Sequence, residues 1–208
     1  MEIGPDTVIA QGVSLHAGTR IGEGCEIGPH TTIRETTIGD RVWIAHAFMV
    51  GAEVHDEAKI GPFAYLRPGT RLSAGVHIGT YVELKNSQVG AGTKIPHLSY
   101  VGDATIGEGT NIGAATVFVN YDGVAKHRTV VGSHARTGAD NMFVAPVTVG
   151  DGAYTAAGSV ITQDVPPGAM AVARARQRNV AGWVQRKRAG TPAAEAAGRA
   201  AAETSEDS

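Results

Sequence analysis

Residues 60–84, IGPFAYLRPGTRLSAGVHIGTYVEL, place an aliphatic side chain at every sixth position: Ile60, Leu66, Leu72, Ile78 and Leu84. The period extends both ways. Upstream it runs Ile3, Ile9, Leu15, Ile21, Ile27, Ile33, then Ile38, Ile44 and Val50. Downstream come Val89, Ile95, Val101, Ile106 and Ile112, then Val131, Thr137, Phe143, Val149, Thr155 and Ile161. Ile, Leu or Val leads 22 of these 25 units, a small residue follows four positions later in 22, and glycine follows directly in 14. A period of six fits neither the 3.6-residue helix nor the two-residue alternation of a long strand. It predicts short strands separated by turns and stacked as a solenoid. The glycines are expected to serve turn positions that need φ > 0.

Composition agrees. Glycine supplies 28 of 208 residues and aromatic residues only 5%. Such a chain must fill its core with aliphatic leads and small partners, in an interior expected to be too thin for aromatic rings. A net charge of −2 argues against bulk nucleic-acid binding. The single cysteine, Cys25, excludes an internal disulfide framework and a multi-cysteine metal site. The N-terminal MEIGPDTVIA is no signal peptide, and no 18-residue apolar run is present. A soluble cytoplasmic protein with no membrane partner is expected.

The repeat resembles the left-handed parallel β-helix of hexapeptide acyltransferases, in which three hexapeptides form one triangular coil. That resemblance implies an all-β fold of about eight coils, and its handedness comes from the resemblance alone. The expected organisation is a β-helix over 1–178 with a loop at 118–130, a helical segment at 179–190 and a disordered tail at 191–208.

Repeat arrays carry function where the repeat is broken. Units beginning at Ile33, Leu84 and Val101 are one residue short, and FVNYDGVAKHRTV (118–130) is a longer excursion. If the sides starting at Ile60, Leu66 and Leu72 are called a, b and c, Arg67 and Lys85 each follow a side-b lead and stack one coil apart. Glu83 and Tyr100 fall at the a/b edge, His97 lies just before it, and the excursion is expected to leave where side a turns into side b. Two stacked cations suit a phosphate, since arginine offers a fork and lysine a point charge. The alternative is a solvated face in which Lys85 pairs with Glu83. Most of the eight histidines, such as His16, His30, His55 and His77, read as surface residues on turns. His97 differs by its company, and imidazole suits general-base work near neutral pH. Glu83 would then fix its tautomer.

The segments GPFAYLRPGT, VELKNS, PHLSYVGDATIGEGTNIGA, NYDGVAKHRT and VAPVTVGDGAYTAAGSV are similar to the C-terminal half of bacterial bifunctional N-acetylglucosamine-1-phosphate uridylyltransferase/glucosamine-1-phosphate N-acetyltransferases. The likeness covers about residues 3–188, and FVNYDG and WVQRKR with an Ala/Pro-rich tail look most like the actinobacterial branch. The resemblance implies that Arg67 and Lys85 bind the sugar phosphate and that His97 is the catalytic base. Tyr100 and Asn111 match sugar-binding positions, and Lys126 matches a lysine near the acceptor sugar. Asn120 and Tyr121 match residues beside acetyl-CoA, while Ala114, Ala139, Ala157 and Arg174 fall on coenzyme A contacts. Ala139 stands where the family often has serine, which would remove a hydroxyl contact to the coenzyme. Ala115 replaces a frequent glycine, harmless if its φ is negative. The family's nucleotide-binding half, with its LAAGxGTRM-like stretch, is absent, which fits a piece of a longer protein better than a stand-alone enzyme.

The implied reaction is acetyl transfer from acetyl-CoA to the 2-amino group of glucosamine 1-phosphate, without a metal. Zinc carbonic anhydrases of similar fold use histidines five residues apart, a spacing that no pair here shows. The resemblance also implies a homotrimer, with the coenzyme between subunits and the basic run Arg174, Arg176, Arg178 near its phosphates. A hexapeptide acyltransferase for another amino sugar and a non-catalytic β-helix binding module remain open alternatives.

Overall fold

The computed structural model describes residues 1–206, in two units: Met1–Arg174 and a second unit that begins at Ala175. The first unit is a parallel β-helix with three sides. Side b stacks nine strands from Ser14–Leu15 to Val160–Ile161, and side c stacks nine from Glu2–Ile3 to Val147–Val149. Side a stacks six strands from Val8–Ile9 to Lys94–His97, then three more from Arg136–Thr137 to Met170–Ala171. Asn111 alone joins these two groups, pairing with Lys94 on one side and Arg136 on the other. The coiling continues past Ile161, because Val165 pairs with Val149 and Ala171 with Thr155.

The leads fill the interior. Ile27, Ile44, Ile60, Leu66, Leu72, Ile78, Leu84 and Ile95 are all fully buried. Most of the small partner residues are buried too; some of their hydroxyls bridge coils, while those of Thr31 and Thr70 make no hydrogen bond. Thr93 Oγ1 donates to Gly107 O at 2.6 Å and accepts from Thr110 N at 3.1 Å. Such bridges allow a polar atom inside a thin core without leaving it unpaired.

Four expectations change. Met49, not Val50, points inward, and Val54 is the next lead, because the units after Ile44 and Met49 are also one residue short. The interior does admit aromatic rings: Phe118 and Phe143 are fully buried with centroids 5.2 Å apart. The glycines that follow leads mostly have ordinary φ, and what they answer is close approach. A Cβ on Gly107 would lie 2.4 Å from Ser133 N, and one on Gly138 would lie 2.4 Å from Ala157 N. The left-handed corner falls two residues later and accepts Asp6, Arg41, Tyr81 and Leu98 as well as glycine. Ala115 occupies such a corner at φ 58°, so it is strained rather than harmless.

The second unit holds helices Trp183–Lys187 and Pro192–Glu206. The first lies within the expected helical segment. The second replaces the expected disorder over most of 191–208, because PAAEAAGRAAAE is dominated by alanine, the strongest helix former. Residues 207 and 208 of that segment lie outside the described residues.

Candidate acyl-transfer site

Strand register brings Arg67 and Lys85 together as neighbours on side b. Leu66 pairs with Leu84, and Arg67 N donates to Leu84 O at 2.9 Å. Glu83 pairs with Tyr100 on the same side. Arg67 Nη1 donates to Glu83 Oε1 at 2.8 Å, while Lys85 Nζ lies 3.5 Å from Asp103 Oδ2. The solvated-face alternative had Lys85 pairing with Glu83, which is not what forms. Glu83 holds the Arg67 guanidinium above its ordinary range.

The excursion leaves one corner later than expected. Phe118 is itself a side-b lead, in the strand Val117–Val119, so the chain departs where side b turns into side c. It returns at the side-c strand Thr129–Val131. The site therefore spreads across side b, from His97 at the a/b corner to the loop at the b/c corner, instead of gathering on one edge. Within the loop, Asp122 Oδ1 accepts from the Val124 and Ala125 amides, and its Oδ2 lies 2.7 Å from His127 Nε2. Lys126 is thereby carried back over side b to lie against Lys85. Contact with Lys85, followed by its charge, pushes Lys126 below its ordinary range, and contact with Lys126 followed by Asp103 pushes Lys85 up.

Gly102 follows Lys85 in this column and makes room for what lies above it. A Cβ there would stand 2.5 Å from Tyr100 Oη and 2.6 Å from Asn120 Nδ2. Asn120 is buried and donates to Asp103 Oδ2 at 2.5 Å. Asp103, Asn86 and Gly102 were not singled out by motif reading. For Asp103, the only signal in the sequence was its place inside a short unit.

His97 closes the side-a strand Lys94–His97 and is exposed. Among the described residues, no side chain hydrogen-bonds its ring. The Glu83 carboxylate expected to fix its tautomer is held by Arg67 instead. Continuing the observed side-a register sets His97, Ala114, Ala139 and Ala157 in one column along the a/b corner. Backbone bonds agree, with Ala115 N donating to His97 O at 3.2 Å, Asp140 N to Ala114 O at 2.7 Å and Gly158 N to Ala139 O at 2.8 Å. Arg174 lies beside Gly158 at the end of this column. One chain thus unites Arg67, Lys85, Tyr100, Asn120 and Lys126 on side b. It leaves Asn111 on side a, and Tyr121 at the corner opposite the alanine column.

The family model described as the GMPPB C-terminal domain matches residues 49–165, more than half of the chain. The chain belongs to that family. A bacterial transferase hexapeptide model of six repeats matches residues 1–35. The protein named bifunctional protein GlmU from Streptomyces avermitilis is 63% identical over 93% of this chain and 40% of its own length. The one from Mycobacterium ulcerans is 57% identical over 98% of this chain and 41% of its own. The chain therefore spans about two fifths of the curated relatives it matches, and the resemblance drawn from its motifs is borne out. LpxA from Bacteroides fragilis, a UDP-N-acetylglucosamine acyltransferase, superposes with a TM-score of 0.69 at 18% identity, covering 90% of this chain and 81% of that one. The fold is thereby the expected left-handed β-helix. Among the described residues, no helix is long and apolar enough to cross a membrane.

Proposed function

We propose that this chain is the acetyltransferase part of a bifunctional enzyme of the GlmU kind. It moves the acetyl group of acetyl-CoA to the 2-amino group of glucosamine 1-phosphate, in the cytoplasm, on the route to UDP-N-acetylglucosamine and cell-wall precursors. The observation that carries the reading is the convergence of Arg67, Lys85 and Lys126 on side b beside Tyr100, next to the corner that holds His97. Three cations against the two carboxylates Glu83 and Asp103 favour a small dianion such as a sugar phosphate.

The neutral amine attacks the thioester carbonyl, forming a C–N bond and a tetrahedral oxyanion. Collapse breaks the C–S bond and releases coenzyme A thiolate. His97 accepts the amine proton and returns it to the leaving sulfur. The Ala114 N–H, one rung from His97, donates to no acceptor among the described residues and suits the oxyanion. The column from His97 through Ala114, Ala139 and Ala157 to Arg174 gives a track for an extended pantetheine arm with its phosphates at the arginine. Asn120 and Tyr121 lie at the b/c end of side b, away from that track within one chain. A homotrimer, in which side b of one copy faces the alanine column of the next, would complete the site.

Thiol release with acetyl-CoA and glucosamine 1-phosphate tests the reading. Replacing His97 with alanine should lower kcat by about 10²–10⁴-fold with little change in KM. Unchanged turnover in His97→Ala would overturn the base assignment. Release with another amino sugar in place of this one would favour the sister acyltransferase reading.

A further inference from the structure

Asp103 ties together groups that the proposed reaction assigns to different substrates. It stands at the b/c corner with φ 50°, directly after Gly102, and its side chain is only 10% exposed. Its carboxylate has three polar side-chain partners, and its backbone makes two further hydrogen bonds. Oδ1 accepts from Asn86 Nδ2 at 2.6 Å. Oδ2 accepts from Asn120 Nδ2 at 2.5 Å and lies 3.5 Å from Lys85 Nζ. Its carbonyl accepts from Thr129 N at 3.3 Å, and its own N–H donates to Lys85 O at 2.9 Å. One residue thus grips the departure of the excursion at Asn120, its return at Thr129, and the lysine beneath it.

Arg128 reinforces the same corner. Its Nη1 donates to Ala104 O at 2.8 Å and to Thr105 Oγ1 at 2.9 Å, and its Nη2 donates to Asn86 O at 3.3 Å. Burial alone would raise the Asp103 carboxyl. The bonds from Asn86 and Asn120 and the charge of Lys85 pull it below the usual carboxylate range, so it stays ionised at working pH.

We propose that Asp103 is a positioning residue that couples the donor loop to the phosphate-binding lysine. The inference rests on the acetyl-transfer reading. The carboxylate anchors Asn120, and through it Tyr121 and Lys126, at a fixed height above Lys85. It also offsets part of the Lys85 charge, which makes its loss act differently on the two substrates. Asn120 and Tyr121 belong to the acetyl-CoA side, so releasing the loop impairs use of the donor. Releasing Lys126 weakens the cation cluster, but removing a negative charge beside Lys85 offsets that loss, so use of the sugar phosphate suffers less than use of the donor.

Asp103→Asn tests this, because asparagine keeps the shape and tolerates the left-handed corner. Its amide cannot accept from both Asn86 and Asn120 while facing an ammonium group. The expected result is a rise in the acetyl-CoA KM and a fall in kcat, each about tenfold, with the glucosamine 1-phosphate KM changed by a smaller factor. Limited trypsin cleavage after Lys126 should also become about tenfold faster, whether or not the chain is active. Asn86→Ala, which leaves the carboxylate in place, should move the same readouts in the same direction by a smaller factor. Should Asp103→Asn fail to fold, Asn86→Ala decides alone. Unchanged cleavage, or a sugar-phosphate KM that rises as much as that for acetyl-CoA, overturns the proposal. A wild-type chain that releases no thiol, paired with faster cleavage of the variant, would defeat the functional reading while leaving the anchoring role intact.

Discussion

Gly102→Ala is the sharpest single test of how side b is packed. Gly102 does not have a positive φ, so alanine is permitted by the backbone and the effect comes from space alone. The new methyl would meet Tyr100 Oη at 2.5 Å, Asn120 Nδ2 at 2.6 Å and Tyr100 Cζ at 2.8 Å. Restoring van der Waals separation requires a displacement of about 1 Å. Asn120 is buried and held by Asp103, so Tyr100, half-buried and with no hydrogen bond from its hydroxyl among the described residues, gives way. A 1 Å misplacement in a positioning group costs on the order of 10²-fold in rate, or about 2.7 kcal/mol of transition-state stabilisation. The stability cost should be smaller, about 1 kcal/mol, because the displaced ring can move toward solvent. Gly152→Ala is the counterpart. It has φ 62° and nothing within 4 Å of its Cβ, so it should lose about 1 kcal/mol of stability and keep full activity. Thiol-release kinetics and denaturant unfolding of both variants give the comparison. Activity of Gly102→Ala within threefold of wild type would refute the packing of Tyr100 over Gly102.

Two further outcomes follow from backbone and charge. Ala115→Gly should stabilise the chain by about 1 kcal/mol, because Ala115 sits at φ 58° and the left-handed region disfavours a Cβ by that order; a midpoint in urea that stays put or falls would show that the corner is unstrained. His77 titrates below the ordinary histidine range, chiefly through burial and then through Lys59, Lys94 and His97. The folded chain therefore binds this proton less readily than the unfolded chain, and the stability His77 contributes falls as pH drops below about 6.5. Lys94→Met should shift the His77 midpoint upward in an NMR titration, and a midpoint that does not move would count against the stacking of these side chains on side a.

The fold was legible because a solenoid writes its cross-section into the sequence once per coil. Ile60, Leu66 and Leu72 needed no long-range information to be placed. What escaped was information carried by neighbouring coils. Met49 and Val54 were missed because two successive short units each shift the register by one, which a fixed period of six cannot follow. Phe118 was assigned to the excursion because it adjoins NYDG, yet it is a fully buried side-b lead packed against Phe143 of the next coil. The glycine after each lead was attributed to φ, whereas Gly107 and Gly138 answer to the backbone of the next coil. Site residues divided the same way. Arg67 and Lys85 could be paired by counting, since their columns are set by period alone. Asp103 and Asn86 could not, because their importance lies in what a loop seventeen residues onward does when it returns.

A parallel stack imposes its own electrostatic problem on such a site. Each column repeats at about 4.8 Å, so Arg67 and Lys85 are held near each other by the backbone whatever their charges prefer. At that distance, two like charges near a protein surface repel by about 3 kcal/mol. The chain answers with carboxylates from adjacent columns, Glu83 against Arg67 and Asp103 against Lys85. Lys126 then arrives from the loop with no ion pair of its own among the described residues, and the repulsion appears as its lowered proton affinity. A phosphate bound among the three cations would offset the repulsion between Lys126 and Lys85. Substrate binding would then tighten the loop through the same ammonium group that repels Lys85 beforehand. On the proposed reading, the strand cations, the corner carboxylate and the loop lysine are expected to act as one unit. Deleting any cation should weaken phosphate binding, whereas deleting Asp103 should loosen the loop and impair use of the phosphate less than use of the donor.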